Sequence, residues 1–291
     1  MIQLSEWQQQ GQFVSMDGQQ IFTLYGGKPS RPVLLLIHGF PSASWDWEGM
    51  WHELTQHYYV VTLDMLGFGL SAKPQKGSYL ISDQADIYER LLSQLGVSHY
   101  HILAHDYGDT VAQELLARQI DGSSQLTIQS VCFLNGGLFP ETLRPLLIQT
   151  LLRSPLGALV AKLITKQKFA ASLQGIFGHA TPPAPEVIDT LWQLLTHNDG
   201  VSVMHKLISY IKQRQQHRAR WVGAIIHNTI PITLIAGAQD PISGQHMIDR
   251  YRQLIPNANI TEMPALGHYP HIEDADAITV AYLQFRLSIS E

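Results

Sequence analysis

The sequence predicts an α/β protein: a mostly parallel, eight-stranded sheet flanked by helices and interrupted by one long helical insertion. Three observations point there. Short β-rich runs alternate with longer amphipathic ones along most of the 291 residues. Several of the β runs are apolar without interruption, as strands covered on both faces must be. Between residues 138 and 226 the alternation stops and only helical spacing is left.

In chain order, Phe13–Met16 and Gln20–Tyr25 read as strands joined through Asp17-Gly18, a hairpin signal. VLLLIH, Val33–His38, is a buried strand. A helix over Trp47–Gln56 leads to a second buried strand, Tyr58–Asp64. Ser82–Leu95 is a helix with Ile87, Leu91, Leu92 and Leu95 on one stripe. The strand Tyr100–Asp106, the helix Gly108–Gln119 and the strand Ile128–Asn135 follow. In the insertion, Leu146, Leu147, Thr150 and Leu151, and then Leu159, Leu163 and Ile164, have the spacing of helical stripes; Pro155, Pro182, Pro183 and Pro185 divide it. Alternation resumes with the strand Ile232–Gly237, a helix over Gln245–Leu254, a strand over Asn259–Pro264 and a last helix near Asp274–Ile289. Residues 1–137 and 227–291 are thus expected to form a core domain, and 138–226 a helical domain set on it.

Composition excludes several classes. Apolar residues are 45% and charged residues 15%, a globular balance. Lys plus Arg is 19 against 24 Asp plus Glu, a net charge of −5, which gives no overall footprint for nucleic acid. Cys132 is the single cysteine, so neither an internal disulfide nor a thiolate zinc cluster is available, and a reducing, cytoplasmic setting is expected. The start, MIQLSEWQQQGQ, lacks the basic and apolar pattern of a signal peptide. No apolar run approaches the about 18 residues of a membrane span, so no membrane partner is expected.

In open α/β sheets, ligands sit at the carboxyl ends of strands. There the sequence places His38-Gly39-Phe40-Pro41, Asp64, Asp106, Asn135, Asp240 and His268. Ala104-His105-Asp106-Tyr107-Gly108 has small residues on both sides of a tight strand-to-helix turn, with Asp106 at the strained, exposed apex. An aspartate there is also a good helix N-cap. As a nucleophile it has a distinct chemistry. A serine that displaces a leaving group from saturated carbon becomes an ether, which water does not readily cleave. A carboxylate becomes an ester, which water cleaves at the carbonyl. Aspartate at the apex therefore points to epoxide opening or halide displacement. The loop after the first buried strand would supply the Phe40 N–H to an oxyanion hole, and Tyr107, next to the nucleophile, the second N–H. GAQDP and GHYPH place Asp240 and then His268 after strand ends, in the order nucleophile, acid, base. His268 would activate water, with Asp240 fixing its tautomer.

Fourteen histidines raise the question of a metal. His101 and His105 share a strand face, yet no HExxH motif or spaced third ligand accompanies them, and neither a metal nor another cofactor is expected. Arg214, His217, Arg218 and Arg220 read as a solvated basic helix face.

With these residues in view, the chain resembles the epoxide hydrolase and haloalkane dehalogenase branch of the α/β-hydrolase superfamily. The resemblance covers HGFPSASWDW, with Trp47 in the branch's usual position, DMLGFGLSAKP, HDYGDTVAQELL, GAQDP and GHYPHIE. HDYGDTVAQELL, NGGLFPETLRPLL, YIKQR and RWVGA look like the mesoderm-specific transcript subfamily, a match that extends into the insertion. The resemblance implies an eight-stranded core with a helical cap, Asp106 as nucleophile, His268 as base and Asp240 as the orienting acid. Asn135 stands where some dehalogenases keep their acid.

Departures from the branch separate the reactions. Dehalogenases hold halide with an indole N–H after the nucleophile and often an Asn after His-Gly; here those positions are Tyr107 and Phe40. Trp192 or Trp221 of the cap would have to substitute, and with His38 and Trp47 these are the expected pocket residues. Epoxide hydrolases use two cap tyrosines as donors; the cap has one, Tyr210, with Tyr107, His179 or His205 as replacements for the second. Asp109 adds a second acid in the first turn after Asp106 and is expected to tune the nucleophile or meet a polar group of the cap. The expected activity is epoxide hydrolysis to a vicinal diol, acting on a small apolar electrophile and water; a dehalogenase and a non-catalytic binder that kept the fold are the alternatives. The oligomeric state is left open.

Overall fold

The computed structural model describes residues 2–289. Eight strands form one sheet: β1 (Gln12–Met16), β2 (Gln19–Gly26), β3 (Val33–Ile37), β4 (Tyr59–Leu63), β5 (His99–His105), β6 (Thr127–Leu134), β7 (Ile232–Gly237) and β8 (Ile260–Met263). Their order across the sheet is β1-β2-β4-β3-β5-β6-β7-β8. β1 and β2, and β2 and β4, pair antiparallel, and the remaining pairs are parallel. The Asp17-Gly18 turn has φ of 49° and 76°, the left-handed pair that a two-residue hairpin demands.

β3, in the middle of the sheet, is apolar throughout because both its faces are covered. Leu34, Leu35, Leu36 and Ile37 of β3 are fully buried; truncating any one to alanine is expected to cost about 2–5 kcal/mol. α2 (Glu48–His57) packs on α14 (Ala275–Ser288), and α3 (Ile81–Gln94) on α4 (Tyr107–Asp121). α4 is buried from Tyr107 to Ala117, its polar residues Asp109, Thr110, Gln113 and Glu114 included, and it ends at Gly122 in the left-handed conformation. The glutamine-rich start, to which the sequence pattern assigns no element, contains α1 (Leu4–Gln10), held by a single buried side chain. Trp7 meets Trp51 edge-on at 5.0 Å, and its indole N–H donates to Ser44 Oγ at 3.2 Å.

Between β6 and β7 the chain is helical: α5 (Leu147–Leu152), α6 (Gly157–Lys162), α7 (Lys166–Gln174), α8 (Pro185–Thr196), α9 (Met204–Leu207), α10 (Tyr210–Gln216) and α11 (Arg218–Ile226). The last of these is seated on α4, in contact with the core. α10 is tied down by Gln213, which accepts the Ile81 N–H at 2.9 Å and donates to the Tyr79 carbonyl at 3.2 Å.

The chain leaves β3 for β4 on one side and leaves β5 for β6 on the other. The topological switch point therefore lies at the carboxyl ends of β3 and β5, where an α/β sheet opens a crevice.

Candidate active site

The turn from β5 into α4 places Asp106 at φ 46° and ψ −104°. Backbone strain of this kind costs about 1–3 kcal/mol and persists only where its surroundings enforce it. Here the Asp106 N–H donates to the Leu134 carbonyl at the end of β6, at 3.2 Å. Gly108 lies so close to β3 that a Cβ would fall onto the Ile37 and His38 carbonyls, the physical reason for the small residue on that side of the turn.

Asp106 Oδ2 accepts the Phe40 N–H at 3.1 Å. The Phe40 loop is itself anchored. The neighbouring His38 donates from Nδ1 to the Gly39 carbonyl at 2.8 Å and accepts the Met65 N–H on Nε2 at 3.0 Å, a tautomer assigned from the bonding network. Asp64, at the end of β4, accepts from Ser44 N and Leu70 N at 2.8 and 2.7 Å and so ties the Asp64–Ser71 loop to the turn after Phe40.

β7 and β8 bring Asp240 and His268 together: Nδ1 of His268 lies 2.7 Å from Asp240 Oδ2. Asp240 also accepts from Asn135 Nδ2 at 2.9 Å, Ser243 Oγ at 2.7 Å and Ile242 N at 2.7 Å. Asn135, at φ 42°, spends its side-chain carbonyl on the Gly237 N–H, so its amide supports the acid. Burial alone would lower the His268 pKa. The Asp240 charge and hydrogen bond, with a further contribution from Asp106, reverse this and hold the imidazole at about 9.

A cavity of about 610 Å³ opens above His268. Phe40, Pro41, Ile242 and His268 line it from the core, and Leu146, Leu152, Phe169 and Leu173 are among those that line it from the insertion. His268 is joined to the insertion by its N–H, which donates to the Ile176 carbonyl at 2.7 Å.

Four residues expected in the pocket lie elsewhere. His38 holds the loop backbone and is absent from the lining. Trp47 is buried with its ring 4.5 Å from His271. Trp192 packs on Phe169 at 5.7 Å, behind the cavity wall. Trp221 faces α4 and donates its indole N–H to Glu114 Oε2 at 2.7 Å. Each was chosen for residue type, and type alone does not set the direction a helix or loop residue faces. Tyr210 is buried, 4.8 Å from the Tyr107 ring and 6.1 Å from the Phe40 ring; burial, then the charge of Asp106, raises its pKa. The Tyr107 side chain leaves the site toward Phe68, Gln84 and Asp83. Neither His179 nor His205 lines the cavity. Asp109 is enclosed beneath the Gly136 backbone; burial, then Asp106, pushes its carboxyl toward the neutral form, against the charge of Arg214 from the insertion.

One residue of the site was misread from sequence. Arg214 is no surface cation: it is 3% exposed. It donates to the Asp106 carbonyl at 2.9 Å and to Thr110 Oγ1 at 2.6 Å, and stands 3.7 Å from Asp106 Oδ1. Its guanidinium also lies over the Tyr210 ring at 4.5 Å. The available signal was its position one turn after Tyr210, on the same helix face. Its neighbours Arg218 and Arg220 do lie at the surface, paired with Glu141 and with Glu114 and Asp121.

Behind His268 lies a second buried group. His105 Nε2 is 2.7 Å from the His268 carbonyl, and Asp46, His105 and His271 place possible ligand atoms within 4.8 Å of one another. The expectation of no metal rested on His101 and His105; His101 instead bonds Ser130 at 2.9 Å. Burial, then the charge of His268, lowers the His105 pKa to about 3.

The sheet order, the strained carboxylate and the acid-histidine pair define an α/β hydrolase architecture, and comparison with known families agrees. The chain belongs to the alpha/beta hydrolase fold family, whose model matches residues 32–275. It is 40% identical to the mesoderm-specific transcript protein of Mus musculus, over 97% of this chain and 87% of that one. It is 36% identical to the putative hydrolase LipZ of Mycobacterium tuberculosis, over 96% of both. In fold it is similar to a haloalkane dehalogenase from Bradyrhizobium elkani, with a TM-score of 0.80 and 19% identity over 96% of this chain and 98% of that one.

Proposed function

We propose that this chain is a hydrolase that opens an epoxide of an apolar molecule through a covalent ester on Asp106. The observation that carries the reading is the bond from the Phe40 N–H to Asp106 Oδ2, with Oδ1 left as the other oxygen of the carboxylate. In the first step Oδ1 attacks the epoxide carbon, the carbon–oxygen bond breaks, and the ring oxygen takes a proton from the Tyr210 hydroxyl. Oδ2 becomes the ester carbonyl oxygen, already in contact with an N–H. In the second step water adds to the ester carbon, His268 takes its proton, and the negative charge appears on Oδ2, where Phe40 N–H and the Tyr107 N–H would hold it. A donor of this kind is worth about 3–4 kcal/mol in the transition state. Collapse of that intermediate breaks the bond between the carboxyl carbon and Oδ1. The departing diol oxygen takes the proton from His268, and the proton left on the new carboxyl returns to the Tyr210 phenolate, so the carboxylate, the imidazole and the phenol are all restored.

The electrostatics support this order of events. Asp106 is one of the charges that hold the His268 pKa up. Esterification removes that charge, so His268 gives up its proton more readily once the intermediate exists and water must be activated. The apolar lining of the cavity supports an apolar substrate.

Halide displacement is the second reading, supported by the same carboxylate; the Trp221 indole N–H that would hold the leaving ion is already given to Glu114. The test is intact-mass analysis of H268Q after exposure to a panel of epoxides and bromoalkanes. Epoxide hydrolysis expects a stable mass increase equal to the whole epoxide. A gain equal to the alkyl group alone, from bromoalkanes only, establishes the second reading. No adduct from either series on a folded variant overturns both and leaves a binding protein.

A further inference from the structure

The insertion carries an exposed surface that extends beyond the cavity it lines. In α5 and α6 the buried side is made of Gln149, Leu152, Gly157 and Ala161. The opposite side is apolar: Leu147, Leu151, Leu156, Leu159 and Leu163 are 75%, 42%, 65%, 58% and 58% exposed. A helix pair with such an exposed side is paired with something besides its own core. The leucines whose spacing marks helical stripes are largely among these, and the structure exposes them.

Charge decides what that something is. From residue 142 to 185 the chain has Arg144, Arg153, Lys162, Lys166 and Lys168 and no aspartate or glutamate. All five cations are exposed. Lys166 pairs with Asp189; Arg144, Arg153 and Lys162 make no ion pair among the described residues. Exposed leucines ringed by unpaired cations are the complement of an anionic lipid surface, where the apolar side chains enter the acyl boundary and the cations meet the phosphates. The position fits too: Leu147, Leu151 and Leu163 are exposed and also line the cavity, so the patch is continuous with its mouth.

We propose that α5, α6 and their flanking turns dock on an anionic phospholipid bilayer, from which an apolar substrate enters the cavity directly; the entry of substrate rests on the reading of Asp106 given above, the docking does not. No helix among the described residues is long and apolar enough to cross a membrane, so the contact is one of surface. This replaces the expectation of no membrane partner, which rested on the lack of an apolar run long enough to span a bilayer and did not address contact at its surface.

The test is co-sedimentation with vesicles of phosphatidylcholine alone and of equimolar phosphatidylcholine and phosphatidylglycerol. Binding to the mixed vesicles, much weaker on phosphatidylcholine and reduced by salt, is expected. Leu156 and Leu159 lie outside the cavity lining, so L156S/L159S is expected to lose most of the binding while hydrolysing a water-soluble substrate unchanged. R153Q/K162Q is expected to bind about 25-fold more weakly, at about fivefold per charge. H268Q is expected to bind like the parent protein, so a failure of the chemistry stays separate from a failure of docking. Equal binding by L156S/L159S, or none by the folded parent, overturns the proposal. So does a dimer in light scattering that L156S/L159S dissolves, which would assign the face to a second copy.

Discussion

The Arg214 guanidinium donates to the backbone carbonyl of Asp106 at 2.9 Å and stands 3.7 Å from Oδ1 of the same residue. A cation of the insertion thus holds the strained turn of the core from above, in a place closed to solvent. R214Q is expected to lower the rate of ester formation by about 10–100-fold, and, because a broken buried pair leaves charge without compensation, to cost about 3–5 kcal/mol of stability. R214K keeps the charge but not the fork, and should recover part of the stability and little of the rate. Single-turnover kinetics with thermal unfolding checks both; an unchanged rate in a folded variant would leave Arg214 a packing residue.

Tyr210 separates the two chemistries. Opening an epoxide needs a proton on the ring oxygen, whereas halide leaves without one. Y210F is expected to lose about 100-fold or more in epoxide turnover and to retain any bromoalkane turnover. Equal losses on both substrates would show that the hydroxyl acts through packing.

The His268 pKa is about 9 in the fold against 6.5 outside it. The stability this supplies is complete below pH 6.5 and is lost as pH rises through about 9, where both states are neutral. His105 has the opposite sign. Its folded value is about 3, so acidification from 6.5 toward 3 favours the unfolded chain, which binds the proton first. Denaturant unfolding across pH should show both limbs. H268Q is expected to flatten the alkaline one by a few kcal/mol, and H105Q the acid one.

Trp221 tests the corrected pocket. Its indole N–H bonds Glu114, which also receives Arg220 and Arg118. W221F should leave KM unchanged and lower stability by about 1–3 kcal/mol. A raised KM with intact stability would return Trp221 to the substrate.

β3 and β7 were legible because strands covered on both faces read as nearly continuous apolar runs. VLLLIH and ITLIAG announce themselves, and Ile232–Gly237 and Gln245–Leu254 match the structure at both ends. α1 was not legible: one tryptophan among glutamines carries no periodic signal, and its packing on Trp51 comes from a distant segment.

For the site, the sequence by itself determined Asp106, Asp240 and His268 as the chemical groups at strand ends. A parallel sheet delivers those ends to one edge, so order along the chain becomes proximity in space. The tertiary structure alone decided the directions of the helical residues: Arg214 inward onto Asp106, Trp221 away onto Glu114, and five leucines of α5, α6 and their flanking turns out to solvent. Helical periodicity says which residues share a face. Only the packing of one helix on another says what that face meets.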